Sequence, residues 1–198
     1  MSHIRMQQCG SDEPKLSHMV TRKLFEQRVI SYSDVVTRDS AQGVIAQLLC
    51  LSGESSKDPI RLFLNTPGGD VDAGFAVYDV IKFIQAPVHI VCTGLTASAG
   101  VVILVAAPLE LRYSLPHTRI MMHQPSSGAH GDASDIEIEA AEILKCRQQI
   151  NEIIAKATGQ TIEKVSEDVS RNYWMGPKEA LEYGLISKIV ESRKDIGI

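Results

Sequence analysis

The sequence lacks any long hydrophobic run. Its first 15 residues contain no apolar segment of about seven residues, which a secretion signal needs. No later segment approaches the roughly 18 apolar residues that span a bilayer. We therefore expect a soluble protein of the cytoplasm.

The sequence also lacks a block of like charges. Its net charge is −4, with 20 lysines and arginines interspersed among 24 aspartates and glutamates. Nucleic acid and anionic membranes attract clustered positive charge, so neither is expected as a partner.

Cysteine is scarce and scattered. The 4 cysteines form no Cys-x-x-Cys pair, and no histidine stands at metal-ligand spacing from them. This pattern indicates a reducing compartment and predicts no metal site. Cys50 and Cys92 lie within apolar runs, so we expect both to be buried.

What the sequence does contain is enough apolar material for one core. Hydrophobic residues make up 44% of 198 residues, which suits a single domain over residues 1–198. Strand-like and helix-like periodicities alternate along the chain, so an α/β fold with parallel strands is predicted. Strands are expected at 28–33, 59–65, 87–94 and 118–123 and at the end of the chain, and helices at 18–28, 40–53, 71–84, 99–107 and 134–156.

The helix predicted at 134–156 is the clearest in the chain. Ser134 and Glu137 form a capping-box pattern at its start, and Gly159 is expected to end it. Since a flexible Gly- and Ser-rich loop precedes it, we expect this amphipathic helix to project from the body and pack on a neighbouring molecule.

Ser98 lies where the strand ending near Gly94 gives way, through a predicted turn at 95–98, to an apolar helix. It is either a helix cap or a nucleophile. Ala97, Ala99 and Gly100 would let a substrate backbone approach, and the amides of the helix N-terminus could stabilise negative charge. The strict G-x-S-x-G elbow is not met, because Thr96 occupies its first glycine position.

Two further features are predicted to meet Ser98 in space. The turn at Gly68 and Gly69 precedes the equivalent helix of the previous strand-helix unit, so parallel pairing would bring its amides beside Ser98. His123 falls where a strand ends and an irregular loop begins, which is a suitable position for a general base. Considered separately, the glycines could simply form a tight turn, and His123 could have a purely structural role.

Four stretches of the sequence resemble the proteolytic subunit of the Clp protease, the ClpP family, over residues 20 to 190. They are FLNTPGGDVDAGFAVYDVIKFI, GLTASAG, RIMMHQPSSGAHGDASDIEIEAAEIL and GPKEALEYGLI. The resemblance implies a ClpP/crotonase-type α/β fold of repeated strand-turn-helix units with a projecting handle, here residues 124–158. It also implies a serine endopeptidase that hydrolyses unfolded proteins inside two stacked heptameric rings.

By position, the resemblance assigns the nucleophile to Ser98 and the general base to His123. The oxyanion hole matches the amides of Gly69 and Ala99. A serine hydroxyl needs a neighbouring imidazole to take its proton during attack. The resemblance implies no cofactor on this chain, because the partner unfoldase of the AAA+ Clp type uses the ATP.

The third member of the family's triad is an aspartate, and here the matching residue is Asn172. An amide oxygen can orient the imidazole but supplies no negative charge to stabilise the imidazolium. Attenuated catalysis is therefore expected. Ser170 stands where many family members carry an acid, so Arg171, the ring-ring contact, lacks its usual partner on an identical subunit.

The residues at the expected unfoldase-docking pocket also differ from the family pattern. Two aromatic residues line the family's docking pocket, and here they correspond to Arg61 and Phe63. A guanidinium at an apolar pocket should weaken docking. The N-terminal axial segment, residues 1–17, lacks the family's usual apolar start.

These departures predict a divergent paralogue that is weak alone and active when its heptameric ring pairs with a ring of a complete-triad relative. An alternative is a structural subunit that positions an active partner, although a scaffold has no need of Ser98, His123 and the glycine turn together. Enoyl-CoA hydratase activity uses a related fold but needs no Ser-His pair.

Overall fold

The computed structural model describes residues 16–126, 128 and 130–196. The predicted axial segment, residues 1–17, lies almost wholly outside the described residues. No helix in the described ranges is long and apolar enough to cross a membrane.

The fold is α/β, as predicted, with one mostly parallel sheet. The helices are α1 (Leu16–Glu26), α2 (Arg38–Glu54), α3 (Val71–Phe83), α4 (Ala99–Leu104), α5 (Ala133–Thr158), α6 (Ile162–Asp168) and α7 (Pro177–Tyr183). The strands are β1 (Val29–Tyr32), β2 (Ile60–Thr66), β3 (Val88–Ala97), β4 (Arg112–Ser114), β5 (Arg119–Met122), β6 (Tyr173–Met175) and β7 (Lys188–Ile189).

Parallel pairing brings successive strand ends to one edge of the sheet. The order is β1-β2-β3-β4-β7, and β5 pairs with both β3 and β6. Each parallel neighbour follows its partner through a helical crossover, as the alternating pattern predicted. The turns after β2, β3 and β5 therefore lie close together.

Alternation along β2 separates two faces of the sheet. Its even-numbered residues are buried against the helices, and its odd-numbered residues are only partly buried. The main core lies on the helical face, and a smaller cluster around Val91, Tyr113 and Val190 lies on the other. Such alternation is what an unequally covered sheet requires.

Several local predictions need correction. Residues 95–97, predicted as a turn, continue β3, so that Ser98 follows the strand directly. The predicted capping box at Ser134 and Glu137 is wrong: α5 begins after Asp132, whose side chain makes no capping bond. The prediction that Gly159 ends α5 is confirmed, since it adopts φ 76°.

The strands β4 and β6 were absent from the predicted elements because segments of three residues carry too little periodicity. Cys50 was predicted to be buried, yet it is exposed, since it falls on the outer side of α2; Cys92 is buried, as expected. A helix of mixed apolar and polar residues exposes one side whatever its local composition.

Candidate active site

Ser98 has a backbone conformation that non-glycine residues rarely adopt. Its φ and ψ are 54° and −121°, and among the described non-glycine residues only Arg28 shares a positive φ. Such a conformation costs roughly 1–3 kcal/mol and persists only where the surroundings impose it. Here the Ser98 N–H donates to the Met121 carbonyl at 2.9 Å, which ties the turn to β5.

The Ser98 side chain points to an imidazole and not to the helix that it precedes. It makes no capping hydrogen bond to α4, so the interpretation of Ser98 as a side-chain cap is wrong. Its Oγ lies 2.8 Å from His123 Nε2, a hydrogen bond of the length that nucleophile and base need.

His123 is brought to Ser98 by strand pairing. β5 runs parallel to β3 with Ala97 opposite Met121, so both strands end at the same level. The next residue, Gln124, is anchored by its N–H to the Val169 carbonyl at 2.7 Å and by its side-chain amide to the Ser170 carbonyl at 3.1 Å. The general-base position is therefore held on both sides.

The glycine turn lies directly against Ser98. Gly68 has φ 90°, and a Cβ placed there would lie 2.5 Å from Ser98 Cβ and 3.1 Å from the Ala99 nitrogen. Only a residue without a side chain permits this approach. The prediction that the two turns lie together is thus confirmed by their geometry.

The Gly69 amide is left free to bind an oxyanion. The Gly68 carbonyl accepts a hydrogen bond from the Val36 N–H at 2.9 Å. Since the C=O and N–H of a trans peptide point in opposite directions, the Gly69 N–H points away from Val36. No acceptor among the described residues takes it. The Ala99 N–H, first in α4, is also an unpaired helix-terminal donor.

Asn172 immediately precedes β6, the strand that pairs with the strand leading to His123. β5 and β6 are antiparallel with Met122 opposite Tyr173, and beyond this pair the Gln124 N–H binds the Val169 carbonyl instead of continuing the ladder. Asn172 is exposed, as is Arg171. Within the described part of the chain, no hydrogen bond joins Asn172 to the imidazole.

An apolar pocket of about 20 Å³ adjoins Ser98 and His123. Its walls include Val71, Met122, Ile150 and other aliphatic residues, and its volume accommodates about one water molecule. Sequence reasoning did not identify it, because its walls come from α3, α4, β5 and α5, which are distant in the chain.

A wider cleft of about 710 Å³ continues from this pocket and shares Val71 and Pro125 with it. It lies between α3 and α5 and is lined by Gly69, Phe75, Cys146 and several charged residues. Burial and the nearby Asp72 carboxylate raise the pKa of the Cys146 thiol. This cleft therefore adjoins the pocket that contains Ser98 and His123.

Arg61 and Phe63 do not belong to this site, because they lie on the other face of the sheet. They line a separate cavity of about 260 Å³ together with Val91, Leu115 and Ile196. Burial and the adjacent Arg61 cation lower the pKa of His89 on the neighbouring strand. This cavity is mainly apolar with a cationic edge.

Backbone groups complete the site without leaving a sequence signal. The Val36 amide and the Met121 carbonyl fix the two turns, yet any residue type except proline can supply both groups. No group of three or more His, Cys, Asp or Glu side chains in the described ranges could hold a metal ion.

Comparison with known proteins gives consistent results. The profile of the Clp protease family matches residues 12–193. The "ATP-dependent Clp protease proteolytic subunit 2" of Treponema pallidum is 42% identical over 95% of this chain and 98% of its own length. The "ATP-dependent Clp protease proteolytic subunit 3" of Rhizobium meliloti is 48% identical over 87% and 88%.

A solved structure is also similar. It is an Asn-to-Asp variant of ClpP1 from Listeria monocytogenes, with a TM-score of 0.82 and 43% identity. The match covers 88% of this chain and 98% of that one.

Proposed function

Because the chain belongs to the Clp protease family and is a serine endopeptidase of the Clp type, we propose that Ser98 and His123 are its nucleophile and general base. The hydrogen bond of 2.8 Å between Ser98 Oγ and His123 Nε2 carries this assignment. The absence of a capping hydrogen bond from the Ser98 side chain supports it, since the hydroxyl binds the imidazole instead.

In this mechanism Ser98 Oγ attacks the scissile carbonyl while His123 Nε2 takes its proton. The N–H groups of Gly69 and Ala99 stabilise the oxyanion that forms. His123 then gives the proton to the leaving amine, and water hydrolyses the acyl-enzyme by the same steps. These groups all belong to the chain, and the reaction needs no cofactor on it; the partner unfoldase would use the ATP.

Asn172 is the third member of this set and limits its rate. Its amide oxygen would accept from the imidazole; the pairing of β5 with β6 at Met122 and Tyr173, the residues next to His123 and Asn172, supports this role. It cannot stabilise the imidazolium as a carboxylate does. In chymotrypsin-type proteases the same acid-to-amide exchange lowers turnover by roughly 10⁴, partly because the amide selects the wrong tautomer.

Proteins of this family form ring-shaped oligomers with Clp ATPases. We extend this to a heptameric ring of this chain that stacks on a ring of a complete-triad relative. The handle, residues 124–158, would form the contact together with Arg171, whose partner would be an acid of the other ring because Ser170 supplies none. Cytoplasmic location agrees with the free cysteines Cys50 and Cys146.

The cavity at Arg61 and Phe63 is proposed to receive the hydrophobic loop of the AAA+ unfoldase. Its apolar walls suit such a loop, but the guanidinium must be desolvated or displaced when the loop enters. Docking on this ring would therefore be weaker than on the relative's ring.

The test compares the wild-type chain with Asn172→Asp, each alone and with the relative. To isolate Ser98, the relative carries alanine in place of its own nucleophile. Peptide cleavage and native mass are followed together. We expect Asn172→Asp to raise kcat by roughly tenfold to 10⁴-fold. Equal, rapid cleavage by the isolated wild type and Asn172→Asp would refute the attenuated mechanism.

The structural-subunit alternative makes a different prediction. A scaffold would have no reactive serine, whereas the proposed enzyme should be labelled at Ser98 by a fluorophosphonate in the mixed complex. A Ser98→Ala variant, which retains the fold, is the matched control for that labelling.

A further inference from the structure

One buried side chain touches both turns that form the proposed oxyanion site. Thr66 is the last residue of β2 and is fully buried. Its Oγ1 accepts a hydrogen bond from the Gly68 N–H at 3.1 Å. A Cβ placed on Gly100 would lie 2.5 Å from the Thr66 methyl carbon, so this methyl packs against the start of α4.

The hydroxyl of Thr66 and the backbone of Val36 hold the glycine turn from two sides. Thr66 binds the N–H of Gly68, and Val36 binds its carbonyl at 2.9 Å. With both groups of Gly68 bound, the peptide plane that carries the Gly69 N–H has little rotational freedom. A glycine at φ 90° has no side chain of its own to restrict it.

We propose that Thr66 is a positioning residue of the catalytic site: its hydroxyl holds the glycine turn so that the Gly69 N–H points toward the oxyanion. The inference rests on the proposed function, since it assumes that Gly69 and Ala99 bind the oxyanion. Thr66 touches neither substrate nor the reacting atoms.

The chain offers a matched control at the paired position. Thr96 is also fully buried and stands opposite Thr66 in the parallel register of β2 and β3. Its Oγ1 donates to the Leu64 carbonyl at 3.4 Å, which is part of the strand and not of the glycine turn. Exchanging either threonine for valine removes one buried hydroxyl at nearly constant volume.

The experiment uses the full chain in the mixed double ring, where the relative's own nucleophile is replaced by alanine. Thr66→Val, Thr66→Ser and Thr96→Val are compared with wild type for kcat, KM and the affinity of a peptide boronate. A boronate adduct on Ser98 places an oxygen in the oxyanion site, so its affinity reports the two donors without turnover.

Thr66→Val should lower kcat by roughly 10-fold to 100-fold, because loss of a whole oxyanion donor lowers it by about 10²–10³ and here the donor is only misdirected. The boronate should lose affinity by a similar factor, and KM should stay within about twofold. Thr66→Ser keeps the hydroxyl and should recover most of the loss. Thr96→Val should remain within about threefold of wild type.

Three results would overturn the proposal: equal losses in Thr66→Val and Thr96→Val, a loss confined to KM, or no loss in Thr66→Val. Failure of the proposed function is detected by a separate variant, Ser98→Ala. If Ser98→Ala still cleaves peptide at the wild-type rate, Ser98 is not the nucleophile, whatever Thr66 does.

Discussion

At the scale of single residues, Ser98 combines a strained backbone with a hydroxyl that is hydrogen-bonded to His123. Its positive φ turns the side chain away from α4 and toward His123, so the strain and the 2.8 Å hydrogen bond are two aspects of one arrangement. The Met121 carbonyl and the close approach of Gly68 keep the residue in this conformation.

This strain predicts a difference in stability between two inactive variants. Ser98→Ala and Ser98→Gly both remove the nucleophile, but only glycine adopts φ 54° without steric cost. We expect the free energy of unfolding to be higher for Ser98→Gly by about 1 kcal/mol, measured by urea denaturation. If Ser98→Ala were the more stable of the two, the backbone at this turn would not be strained.

At the scale of secondary-structure elements, Arg112 of β4 connects the ends of two helices. The residue is 2% exposed, and its guanidinium donates to the carbonyls of Ala157 at 2.8 Å, Leu185 at 3.3 Å and Gly184 at 3.4 Å. These carbonyls lie at the C-terminal ends of α5 and α7, where unpaired acceptors and the helix dipole favour a cation. Burial lowers the pKa of Arg112 to about 10.

Replacing this arginine should destabilise the anchoring of α5. Arg112→Met keeps most of the volume but leaves the helix-terminal carbonyls without donors, so we expect a loss of about 2–3 kcal/mol in the free energy of unfolding. Arg38→Met is the control, since the Arg38 side chain is 86% exposed and its ion pair with Asp70 is long. The same loss in both variants would show that burial of Arg112 is not the cause.

At the scale of the whole molecule, α5 is divided between core and solvent. Its second half carries the buried Ile150 and Ile154, whereas Ile138 and Leu144 in its first half are 60% and 62% exposed. Those two residues flank Ala141 on one side of the helix. Exposed apolar side chains on this half of α5 suit the ring-ring contact that we propose for it.

This surface predicts how assembly should respond to charge. If the proposed stacked rings form through this surface, the double variant Ile138→Lys with Leu144→Lys should shift them to single rings, because two lysines would have to be desolvated in the contact. Glu139→Lys changes a charge on the opposite side of α5 and should leave the double ring intact. Native mass spectrometry distinguishes the two forms, and unchanged double rings in the lysine pair would exclude this contact.

The sequence by itself determined the alternation of strands and helices, because apolar periodicity records which side of each element is buried. The resemblance of its motifs then pointed to Ser98 and His123 as a protease pair, and the structure places their side chains within hydrogen-bonding distance. Local composition also accounts for the end of α5, because Gly159 adopts the left-handed conformation that the sequence predicted there.

Only the tertiary structure decided how those residues are used. That Ser98 binds His123 and caps nothing depends on a backbone torsion, which residue type does not specify. The Gly69 N–H is free because Val36, more than 30 positions earlier in the chain, binds the other side of its peptide group. Such long-range contacts between backbone groups leave no pattern in the sequence, because every residue type except proline carries the same donor and acceptor.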